Sequence, residues 1–258
     1  MQKIADVKYA AAVLQWDQET YLPPKGAGFR GQQLATLSET AHEWQTSPSL
    51  GQLLEELNGR QDLAEDQQRN VELSLEDYNK QKRFTPAFVR LMSETCSHGF
   101  HSWIQARSAN SFALFREDLE KIVELKKQEA EMAGYEKHPY NALLDQFEKG
   151  CTVGLLDGVF AEVRTPLKEL LDRIRSCPPV DDSFLRRHYP RQQQWDFGME
   201  LIGKLGFDFG AGRQDLSEHP FTTNFSCQDV RITTRVDEDD FNSMTWSCIH
   251  ETGHALYE

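Results

Sequence analysis

Apolar residues recur at spacings of three and four along the first two-thirds of the chain, a periodicity that predicts a succession of amphipathic helices. Over residues 3–17, Ile4, Val7, Ala11 and Leu14 keep this spacing until Pro23-Pro24-Lys25-Gly26 interrupts it. A second helix is predicted over 28–45, with Leu34, Leu37, Ala41 and Trp44 on one face. A third follows over 50–57, after the break at Ser47-Pro48. Residues 63–83 are dense in charge and in good helix formers, so they predict a long, largely exposed helix. Pro86 suits the first turn of another, running to Cys96. The stretch 111–133 is strongly periodic, and 135–140, with Pro139, reads as a loop. Residues 155–174 are helical again, with Pro166 predicted to kink the helix or start a new one before Cys177-Pro178-Pro179 ends it. A last helix of this series covers 191–205 and stops at Gly206.

The pattern changes after Phe207. Residues 229–236, Asp-Val-Arg-Ile-Thr-Thr-Arg-Val, are rich in β-branched side chains and alternate in polarity, which predicts a strand. Thr222, Thr223 and Phe225 suggest a partner strand before it. Asp237 to Asp240 then supply acids and an N-cap for a helix from Phe241 to the end of the chain. No internal repeat, low-complexity tract or flexible linker divides the sequence, so residues 1–258 are expected to form one continuous, mostly α body with a small β-sheet. At this length a substantial core can be buried without disulfide staples.

Charge and cysteines narrow the function classes. The formal charge of −13 argues against nucleic acid or an anionic membrane as a partner. Five cysteines, widely spaced and without a CxxC pair, suit reduced thiols in a cytosolic protein. No run approaches the roughly 20 apolar residues of a membrane span. The opening Met1-Gln2-Lys3-Ile4-Ala5-Asp6 is polar, unlike a signal peptide, and the expected location is cytoplasmic.

The chemistry concentrates at the carboxyl end. His250 and His254 are four apart on a predicted helix, so their imidazoles are neighbours on one face and can ligate one Zn²⁺. Glu251 lies about 100° around from His250, where it can reach an activated water without ligating the metal, as a general base must. Zinc would lower the pKa of that water and polarise a scissile carbonyl. A strand edge beside such a helix can pair with an extended peptide. Cys248 is about 200° from His250 on the helix and is expected in the core. A third protein ligand is expected. Glu258 repeats the spacing, but it lies about 12 Å of axial rise beyond His250, too far for all three to converge on a straight helix. His219 is the only local histidine left. Asp229, Arg231 and His219 are candidates to line the groove and orient substrate or ligands; the alternative is an Asp229–Arg231 ion pair and a loop-anchoring His219. Trp16 is expected in the core, and Asp17 and Glu19 are expected to cap or brace helices.

His219-Pro220-Phe221, Asp229-Val230-Arg231-Ile232-Thr233 and His250-Glu251-Thr252-Gly253-His254 together resemble the HPF, DxRxT and HExxH motifs of the carboxypeptidase Taq family of metallocarboxypeptidases, a gluzincin-type family, in the same order. Upstream, Trp16-Asp17-Gln18-Glu19-Thr20 followed by Pro23-Pro24, and Asn141-Ala142-Leu143-Leu144-Asp145 with Glu148 and Gly150, are similar to further family segments, so the resemblance covers nearly the whole chain. It implies a large helical metallopeptidase body with a small β-sheet beside the active-site helix and a deep groove. It also implies removal of single residues from peptide carboxyl termini, Zn²⁺ with Co²⁺ as a substitute, and a homodimer. By matching motifs, His250 and His254 would be the metal ligands and Glu251 the base. The family's third ligand is a glutamate beyond the HExxH motif, and full-length members are about twice as long, so the chain resembles an amino-terminal half. Two other classes remain open: an oligopeptide endopeptidase or dipeptidase using the same zinc chemistry, and a non-catalytic helical binding module whose histidines are incidental.

Overall fold

A computed structural model describes residues Met1–Glu258. Its backbone divides into two compact units, one of Met1–Lys8 with Ala27–Pro178 and one of Tyr9–Gly26 with Pro179–Glu258. It is mostly helical with one small sheet, as the periodicity predicts.

The first unit is all α. It takes the start of α1 (Gln2–Thr20) and contains α2 (Ala27–Gln45), α3 (Pro48–Asn58), α4 (Glu65–Gln81), α5 (Pro86–Ser108), α6 (Arg116–Ala133), α7 (Tyr140–Leu144) and α8 (Val153–Arg175). Helix α2 packs along α5, burying Leu34, Ala35 and Ala41. Helix α5 overruns its predicted end at Cys96 and is buried on two sides there, with Ser97 against Gly31 of α2 and Gly99, about 200° around, facing α6. The small residue at 99 admits α6: a Cβ there would sit 2.8 Å from Cδ1 of Ile122. The stretch 111–133 is divided by a 3₁₀ turn, Phe112–Leu114, before α6 begins. Pro166 does not start a new helix; it lies inside α8, which runs unbroken from Val153 to Arg175. Leu155, Val159, Val163, Leu167, Leu170 and Ile174 lie exposed along it at spacings of three and four.

The second unit carries the sheet. It holds α9 (Arg191–Lys204), β1 (Gly212–Leu216), β2 (Thr222–Ser226), β3 (Asp229–Thr234) and α10 (Phe241–Tyr257). The strands lie in the order β1-β3-β2, with β1 parallel and β2 antiparallel to β3. Strand β2 is therefore an edge, and its Thr222 faces Ile232 across the ladder. The predicted strand over 229–236 ends at Thr234. Strand β1 was not predicted, because Gly-Arg-Gln-Asp-Leu has neither alternation nor β-branched side chains. Ile202, Phe207, Ile232, Met244 and Cys248 form a shared core of α9, β3 and α10, with Phe207 just after α9. Helix α9 comes close at Gly198, where a Cβ would lie 3.1 Å from both Met244 Sδ and Cys248 Sγ.

At Gly212 a Cβ would collide with the backbone carbonyl of Val230 and stand 2.6 Å from the Phe207 ring. Backbone cannot step aside as a flexible side chain can. Gly212→Ala is therefore expected to cost about 1–3 kcal/mol, the usual range for overpacking. Urea unfolding reads this as a lowered midpoint, and an unchanged midpoint would show that the β1–β3 contact is not tight.

All five cysteines are free thiols, and burial pushes the Cys248 thiol above its ordinary pKa. No helix is long and apolar enough to cross a membrane.

Candidate active site

Helix α10 is held at three places. Its N-cap, Asp240, accepts hydrogen bonds from the backbone N–H groups of Asn242 at 3.1 Å and Ser243 at 3.4 Å, a cap of about 1 kcal/mol. Ser247 Oγ is 2.5 Å from Thr234 Oγ1 of β3. Met244, Cys248 and Thr252, all 0% exposed, anchor its inner side. With that side fixed, His250 and His254 emerge exposed, while Glu251 between them is only 6% exposed.

The two imidazoles converge. Their ring centroids are 4.8 Å apart, the planes stand at 85°, and Nε2 of His250 is 3.2 Å from Nε2 of His254. Two nitrogens each 2.0–2.1 Å from one tetrahedral zinc ion would be about 3.3 Å apart. The pair thus fits two positions of a zinc coordination shell, and neutral imidazole is a suitable donor. No group of three or more His, Cys, Asp or Glu side chains is disposed to hold a metal ion.

A cleft of about 340 Å³ opens beside these rings. It is bounded on one side by His250, Glu251, His254 and Glu258, and on the other by residues 219–222 and Asn224. A larger cavity of about 910 Å³ lies in the helical unit near α4 to α7 and contains none of the predicted site residues. The chemistry of the smaller cleft, not its volume, marks it as the candidate. Strand β2 supplies its polar wall: Thr222 Oγ1 donates to Glu251 Oε2 at 2.6 Å, and Asn224 Nδ2 donates to Glu258 Oε2 at 2.6 Å. Glu258 thus borders the cleft with its carboxylate engaged by the strand.

The structure brings His219 to this cleft and leaves Asp229 and Arg231 off its lining. Arg231 donates to both carboxylate oxygens of Asp229, at 2.9 and 3.0 Å. Its guanidinium lies 4.4 Å from the centroid of Trp16 and 4.9 Å from that of Phe225. Arg213, paired to both oxygens of buried Asp215, approaches Trp16 at 5.2 Å. Trp16 is buried with both guanidiniums over its ring, and these contacts seat the segment Tyr9–Gly26 on the sheet. A hydrogen bond to Asp215 raises the pKa of Tyr21.

Three residues that contribute to the site escape the sequence. Thr222 reads only as a β-former. Thr233, 0% exposed, ties the two upstream motifs together: its hydroxyl accepts from Phe221 N at 2.9 Å, and its own N–H donates to Phe221 O at 2.9 Å. Ser217 completes the loop by donating to His219 O at 2.7 Å. Burial raises the Glu19 pKa, and the Gln15 hydrogen bond and His219 partly oppose that rise. The Trp16-to-Thr20 motif was the available signal for Glu19; its acids read as helix braces because nothing local connects them to position 219.

Comparison with known proteins agrees with this architecture. The sequence signature of the carboxypeptidase Taq (M32) metallopeptidases matches residues 1–258. Carboxypeptidase 1 of Bacillus subtilis is 36% identical over 260 residues, covering 100% of this chain and 52% of the relative. A solved structure named CHT is 56% identical with a TM-score of 0.84, covering 100% of this chain and 52% of that one. The BsuCP crystal structure is 35% identical with a TM-score of 0.96, covering 99% and 52%. The chain spans about half the length of the curated relatives it matches.

Proposed function

This chain belongs to the carboxypeptidase Taq (M32) metallopeptidase family, and from that premise we propose that it carries the zinc-binding histidines and the general base of a metallocarboxypeptidase. His250 and His254 hold Zn²⁺ through their Nε2 atoms, with Co²⁺ as a possible substitute, and donors outside this pair complete the shell. Zinc supplies Lewis acidity there, acidifying water and polarising a peptide carbonyl. The observation that carries the proposal is the 3.2 Å approach of the two Nε2 atoms beside a buried glutamate.

The chain's own groups divide the remaining work. Glu251 takes a proton from the attacking water as the water oxygen bonds to the scissile carbonyl carbon. It returns that proton to the leaving nitrogen as the C–N bond breaks. One product gains a carboxyl group, which keeps the water's second proton, and the other a free amine, so the base ends as it began; the carboxyl proton then passes to the amine or to solvent. The edge strand β2, which pairs only with β3, offers unpaired main-chain groups to an extended peptide alongside the cleft. His219 orients substrate or ligands from the loop, while Asp229 and Arg231 act from behind it by bracing Trp16 and the sheet. Substrates are peptides, shortened by one residue at a time from the carboxyl end. The whole protein is a cytoplasmic homodimer.

The test uses the whole protein, carried to the length of its relatives and loaded with zinc. Matched peptides with free and amidated carboxyl termini are offered, and products are identified by mass. Release of single residues from the free-ended peptides alone is expected. Internal cleavage of both would identify an endopeptidase, and release of dipeptides a dipeptidase. Absence of any hydrolysis by zinc-loaded protein would leave a binding module.

A further inference from the structure

We propose that Thr222 is a positioning residue that fixes the carboxylate of Glu251 for proton transfer; this rests on Glu251 being the base. Glu251 is 6% exposed, and a buried carboxylate left without donors would be costly and free to change rotamer. The Thr222 hydroxyl has one hydrogen and two acceptors in reach, Glu251 Oε2 at 2.6 Å and the Glu251 backbone carbonyl at 3.2 Å. The shorter, charge-assisted bond takes the hydrogen. One carboxylate oxygen is thereby held, and the other is left to exchange a proton.

The hydroxyl can act as a fixed point because Thr222 is itself pinned from two directions. Across the ladder it faces Ile232, which is 0% exposed in the core of the unit. Along the chain, its neighbour Phe221 exchanges backbone and side-chain hydrogen bonds with buried Thr233, at 2.9 Å each way. Strand β2 thus transmits the position of the core to the side chain of Glu251. Asn224, two residues on and therefore on the same face, makes the analogous bond to Glu258 one helical stretch further. The strand and α10 are registered at both points, so a slip of one would move both carboxylates.

Thr222→Val keeps the side chain's shape and removes the donor, whereas Thr222→Ser keeps the donor. In the zinc-loaded whole protein, Thr222→Val is expected to lower kcat by about 10- to 100-fold, the scale of a misplaced catalytic group. KM and zinc affinity should be unchanged, and Thr222→Ser should recover most of kcat. A second readout needs no metal: Thr222→Val should lower the melting temperature of zinc-free protein in the native background, and much less in a Glu251→Leu background. Should Thr222→Val not fold, Thr222→Ala carries the same comparisons. Unchanged kcat in Thr222→Val while Glu251→Gln is inactive would overturn the positioning role alone. Equal loss in the Val and Ser variants, or an equal fall in melting temperature in both backgrounds, would also overturn it. Unchanged kcat in both Thr222→Val and Glu251→Gln would instead remove the assignment of Glu251 on which it stands.

Discussion

Glu251→Gln is expected to lower kcat of the zinc-loaded whole protein by about 10²- to 10⁴-fold, the span of a general acid–base contribution. The substitution is nearly isosteric, and its amide oxygen can still accept the Thr222 hydrogen bond, so the helix and the edge strand should stay registered. The amide cannot take a proton from water, and that single loss should fall on the chemical step. KM and zinc content should therefore be little changed, the pattern of a group that acts only in the transition state. Steady-state kinetics with parallel metal analysis would check it. A variant retaining native kcat would remove the base from Glu251, and one that loses zinc would recast Glu251 as a ligand.

The second large effect concerns the metal. His250→Ala and His254→Ala should each abolish stoichiometric zinc after dialysis, read as metal per chain by mass spectrometry. Each removes a direct donor, so each should exceed the roughly 10- to 100-fold cost of losing an outer-shell partner. The 3.2 Å separation of the two Nε2 atoms makes the loss cooperative, since neither ring alone defines a site. The 258-residue chain by itself should bind zinc weakly, because two imidazoles leave a tetrahedral shell unfilled. Tight one-to-one zinc in either variant would show that the metal sits elsewhere.

Much of this was legible in the sequence for local reasons. The i, i+4 spacing of His250 and His254 and the Asp240 cap are properties of one helix, and both appear in the structure as that helix. Cys248 falls in the core for the same reason, two residues being more than half a turn. The strand at 229–234 was legible from its β-branched run. What escaped depends on contacts between distant segments. Strand β1 is polar and earns its place only by parallel pairing with β3. Helix α5 continues past Cys96 to Ser108, with Gly99 set against Ile122 of α6, a contact that periodicity cannot report. The bond from Thr222 to Glu251 spans 29 positions, and the bonds from Thr233 to Phe221 span 12. Motif reading singled out Asp229 and Arg231 by name, but the geometry puts Thr233, at the end of the same motif, in contact with the loop that carries His219. A motif records which residues recur together and not which of them faces the cleft.

The most direct test is the position of the metal itself, from anomalous diffraction at the zinc edge on crystals of the zinc-loaded whole protein. The expected result is one zinc ion with the Nε2 atoms of His250 and His254 at about 2.0–2.1 Å, and Glu251 outside the coordination shell with its carboxylate still bonded to Thr222. Zinc bound away from this pair, or coordinated by Glu251, would contradict the account.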